Sequence, residues 1–207
     1  MGTCIGCAAP KCSRHLHRSV RTTGVRTPFA LQTKQYVSME SVRLRGLIES
    51  DLDVLTANET PGSDPWNYFE IGASNRFHRR FADNGGITED TGVLAVETSE
   101  GVLVGSVSWF TVQHGPSAAC RAINIGISLF VEHRGQGYGS VAQRQLCDYL
   151  FSTRLVERVE AATDVENIAE RRALETASFS QEGLLRHAQY RAGEWHDIML
   201  YSRLRGD

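Results

Sequence analysis

The sequence predicts an α/β domain, with helices flanking a mixed sheet that is antiparallel for most of its width. Three observations lead there. Three alternating apolar runs between residues 92 and 131 follow one another with only short turns between them; such runs become antiparallel neighbours. A glycine cluster then separates the third run from a helical pattern. Finally, one strand and one helix lead into a closing hairpin.

The elements read in order as follows. "SVRLRGL" alternates, with Val42 and Leu44 on one face, and gives a first strand. "IESDLDVLTANE" gives a helix, with Ser50 or Asp51 as its N-cap and Leu52 and Leu55 turned inward. Pro61, Gly62 and Pro65 break the chain. Residues 66–83 carry Phe69, Ala73, Phe77 and Phe81 at helical spacing and read as one or two helices, ended by "NGG". "GVLAVET" and "VLVGSVSWFTV" are strands joined at "SEG", a hairpin signal, and "GPSAA" leads to "RAINIGISLFV". "SVAQRQLCDYLFST" is a helix with Val141, Leu146, Leu150 and Phe151 inward. "RVEAAT" is a strand and "NIAERRALETASF" a second helix after it; "EGLLRHAQY" and "EWHDIMLYSRL" close the domain as a hairpin. The order is β-α-α-β-β-β-α-β-α-β-β, with no internal repeat.

At 207 residues and 22% charged, the composition is that of a globular protein of one domain, or one domain with a tail. A formal charge of -2 gives no nucleic-acid signal, and no apolar run is long enough to span a membrane. The charge is uneven. Residues 1–38 hold no acid and six basic residues, so residues 39–207 carry -8. We expect 1–38 to be a disordered extension and 39–207 the folded domain, because the compact pattern begins just after Met39. The acid-free segment also has the look of a transit peptide, and Cys4, Cys7, Cys12, His15 and His17 lie too close together for the usual pair of zinc-ligand couples. No metal is expected. The odd count of five cysteines and the lack of a secretory core fit a reducing cytoplasm.

The glycine loop carries the chemistry. Arg134, Gly135, Gln136, Gly137, Tyr138 and Gly139 lie between strand and helix. Glycine lets a backbone turn tightly or approach a phosphate at a helix N-terminus. A P-loop would end in Gly-Lys-Ser/Thr, and no lysine is here. Gly137, Gly139 and Ala142 do match the dinucleotide fingerprint, with Glu157 at the distance of a ribose acid. That fold, however, needs successive parallel strands, and this loop follows an antiparallel meander.

Read as Arg-x-x-Gly-x-Gly, the loop resembles that of the GNAT superfamily of acyl-CoA-dependent N-acetyltransferases, and the element order matches that family. "HRGQGYG", "DVENIAERRALETASF" and "YRAGEWHDIMLYSRL" are most similar to its RimJ/RimL-type branch. The resemblance runs from about Val42 to Leu204. It implies a sheet splayed at its fourth and fifth strands, acetyl-CoA as cosubstrate, and an amine acceptor. The amine belongs to a protein N-terminus or a small molecule; a homodimer is compatible with it. Backbone N–H groups from Gln136 to Ser140 are then expected on the pyrophosphate, with Arg134 adding charge or tying down the loop. Leu129 and Val131 are expected to pair with the pantetheine arm, and the Phe130 N–H to face the oxyanion.

The family's proton donor pattern is broken. Many members carry Tyr seven residues after the Asn equivalent to Asn167, where this chain has Leu174; RimL-like members carry Ser at the place of Glu170. Asn167 is expected to cap its helix and to contact pantetheine. Glu170 either closes a capping box with Asn167 or serves as an acid or relay. Asn124 stands where many relatives carry Glu; it cannot act as a base but can hold a water beside the acceptor. His187 and His196 read as a surface pair, Cys120 and Cys147 as core or rim, and Trp66, Tyr68 and Phe69 as core aromatics or cleft wall. The missing Tyr and Ser motivate an alternative, a non-catalytic acyl-CoA sensor.

Overall fold

The computed structural model describes residues 41–58, 65–66 and 76–207. Expectations for residues 1–38, and for Tyr68, Phe69 and Ala73, lie outside the described residues. Strand β1 (Val42–Arg45), helix α1 (Glu49–Ala57), helix α2 (Arg76–Asn84), and strands β2 (Thr91–Thr98), β3 (Leu103–Gln113) and β4 (Arg121–Leu129) come first. Helix α3 (Tyr138–Thr153), β5 (Arg158–Asp164), α4 (Ile168–Thr176), β6 (Ser180–Arg191) and β7 (Glu194–Leu204) follow. The seven strands form one sheet in the order β1-β2-β3-β4-β5-β7-β6. Every neighbouring pair is antiparallel except β4 with β5.

Directly opposed residues in a sheet share a face. One face carries Val42, Leu94, Val107, Trp109, Ile123, Ile125, Val159 and Tyr201. These pack on Ala142, Leu146, Cys147 and Leu150 of α3 and Leu174 of α4, all buried. The spacing of the α3 residues places them along one stripe of the helix. Burial pushes the Cys147 thiol up to about 12, so it is an inert core group. The other face carries Val93 and Ala95, covered by Leu52 and Leu55 of α1 and Phe77 of α2. The helices thus divide between the faces: α1 and α2 on one, α3 and α4 on the other.

Helix α1 begins earlier than its sequence suggests. Its N-cap is Ile48, and Asp51 sits three residues in, accepting the Ile48 N–H at 2.9 Å. The reason is electrostatic. Arg45 grips Asp51 at 2.6 Å and Glu97 at 2.7 Å, so the aspartate is drawn toward β1. Burial opposes charge on Asp51, but Arg45 and the Ile48 N–H outweigh it and hold its carboxyl below the usual range.

Candidate active site

The parallel ladder between β4 and β5 is short. It runs from Ile123↔Val159 to Ile125↔Ala161, while β4 stays paired with β3 as far as Leu129↔Gly105. The strands therefore part at Ile125. The Phe130 N–H goes to Val104 O at 2.9 Å, which fixes the alternation: even residues of β4 bond to β3, odd ones face β5. Past the fork, the backbone groups of Ile127 and Leu129 turn toward the gap.

Two expectations change here. The Phe130 N–H is bonded within the sheet, so it is no oxyanion donor. Val131 is outside β4, in a 3-10 turn spanning Val131–His133, with the His133 N–H on Phe130 O. The β4 backbone groups that face the gap are therefore those of Ile127 and Leu129, and not of Val131. The apolar run "SLFV" hides the strand end; the turn is set by the loop that follows. Arg134 ties that loop down, its Nε donating to Leu129 O at 2.9 Å.

Gly135 and Gly137 have φ of 72° and 80°, a region that favours glycine. Gly137 is the N-cap of α3 with no side-chain cap, and the helix's first bond back to it comes from the Val141 N–H at 3.4 Å. The N–H groups of Tyr138, Gly139 and Ser140 thus stand at a helix N-terminus, where an anion is favoured. A Cβ at Gly137 would meet nothing within 4 Å, so the space before the helix is open. Gly139 lies deeper, where a Cβ would come within 3.8–3.9 Å of Leu129, Ile127 and Ala173. That glycine is where β4, α3 and α4 converge. The Ser140 hydroxyl donates to Gly137 O at 3.0 Å, and the Gln136 amide to Glu132 O at 3.2 Å.

Asn167 caps α4, its Oδ1 accepting the Glu170 N–H at 3.2 Å. The return half of a capping box does not form, because the Asn167 N–H goes to Asp164 O. Glu170 instead accepts from Gln143 Nε2 at 2.9 Å, bridging α4 to α3. Gln143 is buried, 1% exposed. That contact gives the carboxylate a structural task, holding the two helices together. Replacing Glu170 by Gln is therefore expected to slow turnover by less than about tenfold, or roughly 1.4 kcal/mol at the barrier. A loss near a hundredfold in kcat, with unchanged CoA affinity, would make Glu170 the catalytic acid. Leu174 is fully buried and supplies no proton.

Asn124 is half-buried on the opposite face from α3 and α4, directly between Phe110 of β3 and Glu160 of β5. It is one residue from the fork, on the side away from the glycine loop. His187 and His196 do not form a surface pair. His187 is exposed, while His196 Nδ1 lies 3.2 Å from the buried Asp164. Cys120 is half-buried and Cys147 buried, as expected of rim and core. Trp66 is half-buried, its ring under the Arg191 guanidinium at 5.7 Å. Among the described residues, no group of His, Cys, Asp or Glu is arranged to hold a metal ion.

A forked sheet, an open glycine-capped helix at the fork and a crossover order of this kind define an acyltransferase-type fold. Residues 41–180 match the acetyltransferase (GNAT) domain family, and the chain belongs to that family. It is 33% identical over 109 residues to the probable N-acetyltransferase YjcK of Bacillus subtilis, covering 53% of this chain and 59% of that one. It is 31% identical over 129 residues to the putative ribosomal N-acetyltransferase YdaF of the same organism, covering 62% and 65%. The chain thus spans less than two thirds of these relatives. In fold it is similar to a spermidine N-acetyltransferase of Vibrio cholerae solved with CoA and spermine, with a TM-score of 0.66 at 20% identity, covering 80% of this chain and 96% of that one.

Proposed function

We propose that the protein transfers the acetyl group of acetyl-CoA to a primary amine by direct attack in a ternary complex. The observation that carries this is the fork beside the glycine-capped helix. The N-terminus of α3 offers orphan N–H donors for a pyrophosphate, and the parted edge of β4 offers Ile127 and Leu129 to an extended arm. The gap between them is bordered by Gly139 of α3 and Ala173 of α4, the helix that Asn167 caps. The reading supports Leu129, Gln136 to Ser140 and Asn167 as binding residues, adds Ile127, and keeps Arg134 as the loop's anchor. Asn124 is assigned to the acceptor side.

The acceptor is a protein N-terminus, as the RimJ/RimL-type branch would use, or a small cationic amine. Relatives bear names of both kinds. The -8 charge of residues 39–207 favours cationic acceptors through steering. A non-catalytic sensor is less well supported, because the matched relatives are named as N-acetyltransferases. Incubation with acetyl-CoA and an amine library, read by mass spectrometry, tests the proposal. Acetylated amines are expected; tight CoA binding with only slow thioester hydrolysis would select the sensor instead.

We also take 39–207 as the catalytic domain and 1–38 as an extension, in a reducing cytoplasm, with a homodimer as the assembly to look for. Deleting 1–38 is expected to leave turnover and the melting temperature nearly unchanged, since that segment has no pattern able to offset its ordering entropy. A drop of several degrees, or release of stoichiometric zinc, would refute this.

A further inference from the structure

Glycine weakens the interior of a strand, so each glycine in the sheet needs a reason. Most have a structural one. A Cβ at Gly92 would strike the Trp109 ring at 2.0 Å. One at Gly105 would strike Ser128 O at 2.2 Å, and Gly105 has φ of 156°. Gly183 sits at a register shift between β6 and β7. Gly126 has none of these reasons. Its φ lies outside the left-handed region, and the β3–β4 ladder runs through Ser108↔Gly126 without a bulge. A Cβ there would meet only the Ser108 Oγ, at 3.3 Å, and a hydroxyl can rotate away.

The place of Gly126 supplies the missing reason. Strands β4 and β5 last pair at Ile125↔Ala161, so Gly126 is the first residue of β4 past the fork. It is bonded directly to Ile127, whose backbone faces the gap. An arm that leaves the N-terminus of α3 and lies along Leu129 and Ile127 carries its thioester end toward Ile125, beside Gly126. Strand pairing puts Gly126 on the face of Val93, opposite the face filled by α3 and α4. An acceptor must therefore arrive over this face. Gly126 is exposed on it, and so is Ala162, the first residue of β5 past the last pair. Glu160, just inside the fork, does not crowd this notch. His114 Nε2 at 2.6 Å and Arg158 Nε at 2.5 Å hold its carboxylate from the side away from the gap.

We propose that Gly126 determines acceptor specificity, as the bare spot over which the acceptor nitrogen reaches the thioester carbon; this rests on the acetyl-transfer reading. Attack needs the nitrogen about 3–3.5 Å from that carbon with its lone pair aligned. The lone pair forms the C–N bond, the C–S bond breaks and CoA leaves as the thiolate. The two protons that the ammonium form must shed pass to solvent. A side chain at position 126 would stand on the approach face beside that carbon and hold the nitrogen back. The carbon bearing the amine passes through the same notch. With no side chain on one wall and a single methyl on the other, the notch takes an amine on a branched carbon, as in a peptide N-terminus.

The test uses the full chain, acetyl-CoA and a panel of amines, branched and unbranched at the carbon bearing nitrogen, with short peptides among them. The wild type is expected to acetylate branched amines. Gly126→Ala is expected to lower kcat/KM for these by about tenfold and for unbranched amines by less. Gly126→Val is expected to cost about a hundredfold, the loss that a displacement of about 1 Å can give. CoA affinity by calorimetry, and the melting temperature of Gly126→Ala, are expected to match the wild type. Adding Ser108→Ala to Gly126→Ala removes the contact with the hydroxyl, and the loss is expected to persist. Recovery in that double variant would trace the defect to strain against Ser108 and overturns the inference. So does a kcat/KM for Gly126→Val within about twofold of wild type, or a loss that follows weakened CoA binding. Equal losses for branched and unbranched amines in Gly126→Ala also overturn it, as does a wild type that binds CoA yet leaves every branched amine unacetylated. A wild type that neither binds CoA nor acetylates any amine overturns the acetyl-transfer reading and this inference with it.

Discussion

Gly137→Val is expected to abolish acetyl-CoA binding while leaving the core folded. The residue is the N-cap of α3 at φ 80°, and a Cβ there projects into open space in front of the helix. Two effects add. A β-branched residue is disfavoured in the left-handed region by about 1–2 kcal/mol, so the loop tends to leave its geometry. Its side chain also occupies the place where a pyrophosphate would meet the N–H groups of Gly139 and Ser140. Affinity is expected to fall by at least about a hundredfold, or roughly 2.7 kcal/mol. Gly139 separates the two effects. A Cβ there makes ordinary contacts with Leu129, Ile127 and Ala173. Gly139→Ala is thus expected to fold normally and to weaken binding less, while Gly139→Val crowds all three walls of the gap. Calorimetry with CoA reads the affinity and circular dichroism the fold. Unchanged affinity in both valine variants would remove the phosphate assignment.

The fold was legible because local signals and topology agreed. Period-two runs with short turns could only become an antiparallel meander, and the glycine cluster marked where the chain crosses over. The capping of α4 by Asn167 was also readable, since a cap is a matter of a few neighbouring residues. What failed was decided at a distance. The N-cap of α1 shifted because Arg45 of β1, itself held by Glu97 on the neighbouring strand, draws in Asp51. Glu170 had the spacing of a capping box, yet it bonds to Gln143, 27 residues earlier. No periodicity carries that contact.

The ligand edge of β4 illustrates the same limit. "ISLFV" reads as continuous strand because every residue in it tolerates that conformation, and nothing in it marks Leu129 as the last. Only the Phe130 N–H on Val104 O and the turn at Val131–His133 show where pairing ends. With the alternation fixed, Ile127 and not Val131 turns its backbone toward the gap, which is why the proposed reading gives it the extended arm. The His114–Glu160 contact was equally silent in sequence, joining residues 46 apart through two strand pairings.

Breaking the ion pair between Asp164 and Arg191 is expected to give the largest loss of stability. Asp164 ends β5 and Arg191 ends β6, just before the turn at Ala192 and Gly193; both are 3% exposed. Arg191 Nη2 donates to Asp164 Oδ2, and Nη1 to Trp66 O at 3.0 Å. Asp164 also accepts the Glu166 N–H at 2.8 Å. Removing Arg191 strips the buried Asp164 carboxylate of its guanidinium and leaves the Glu166 N–H and His196 beside it, a loss of about 3–5 kcal/mol. Arg191→Met is therefore expected to lower the melting temperature by roughly 10 °C. An apolar pair, Asp164→Leu with Arg191→Met, is expected to recover much of the loss, because no charge is then stranded. The pH dependence has a definite sign. Burial opposes charge on Asp164, but the Glu166 N–H, Arg191 and His196 outweigh it and hold the carboxyl below its usual range. A depressed carboxyl contributes stability above its unfolded value of about 3.9 and loses it as pH falls through the folded value. The wild type is thus expected to lose stability in acid more steeply than Arg191→Met. Chemical denaturation from pH 7 down to pH 3 reads both slopes. Parallel slopes, or a melting temperature for Arg191→Met within two degrees of wild type, would show that the pair does not hold the β5 end and the β6–β7 hairpin together.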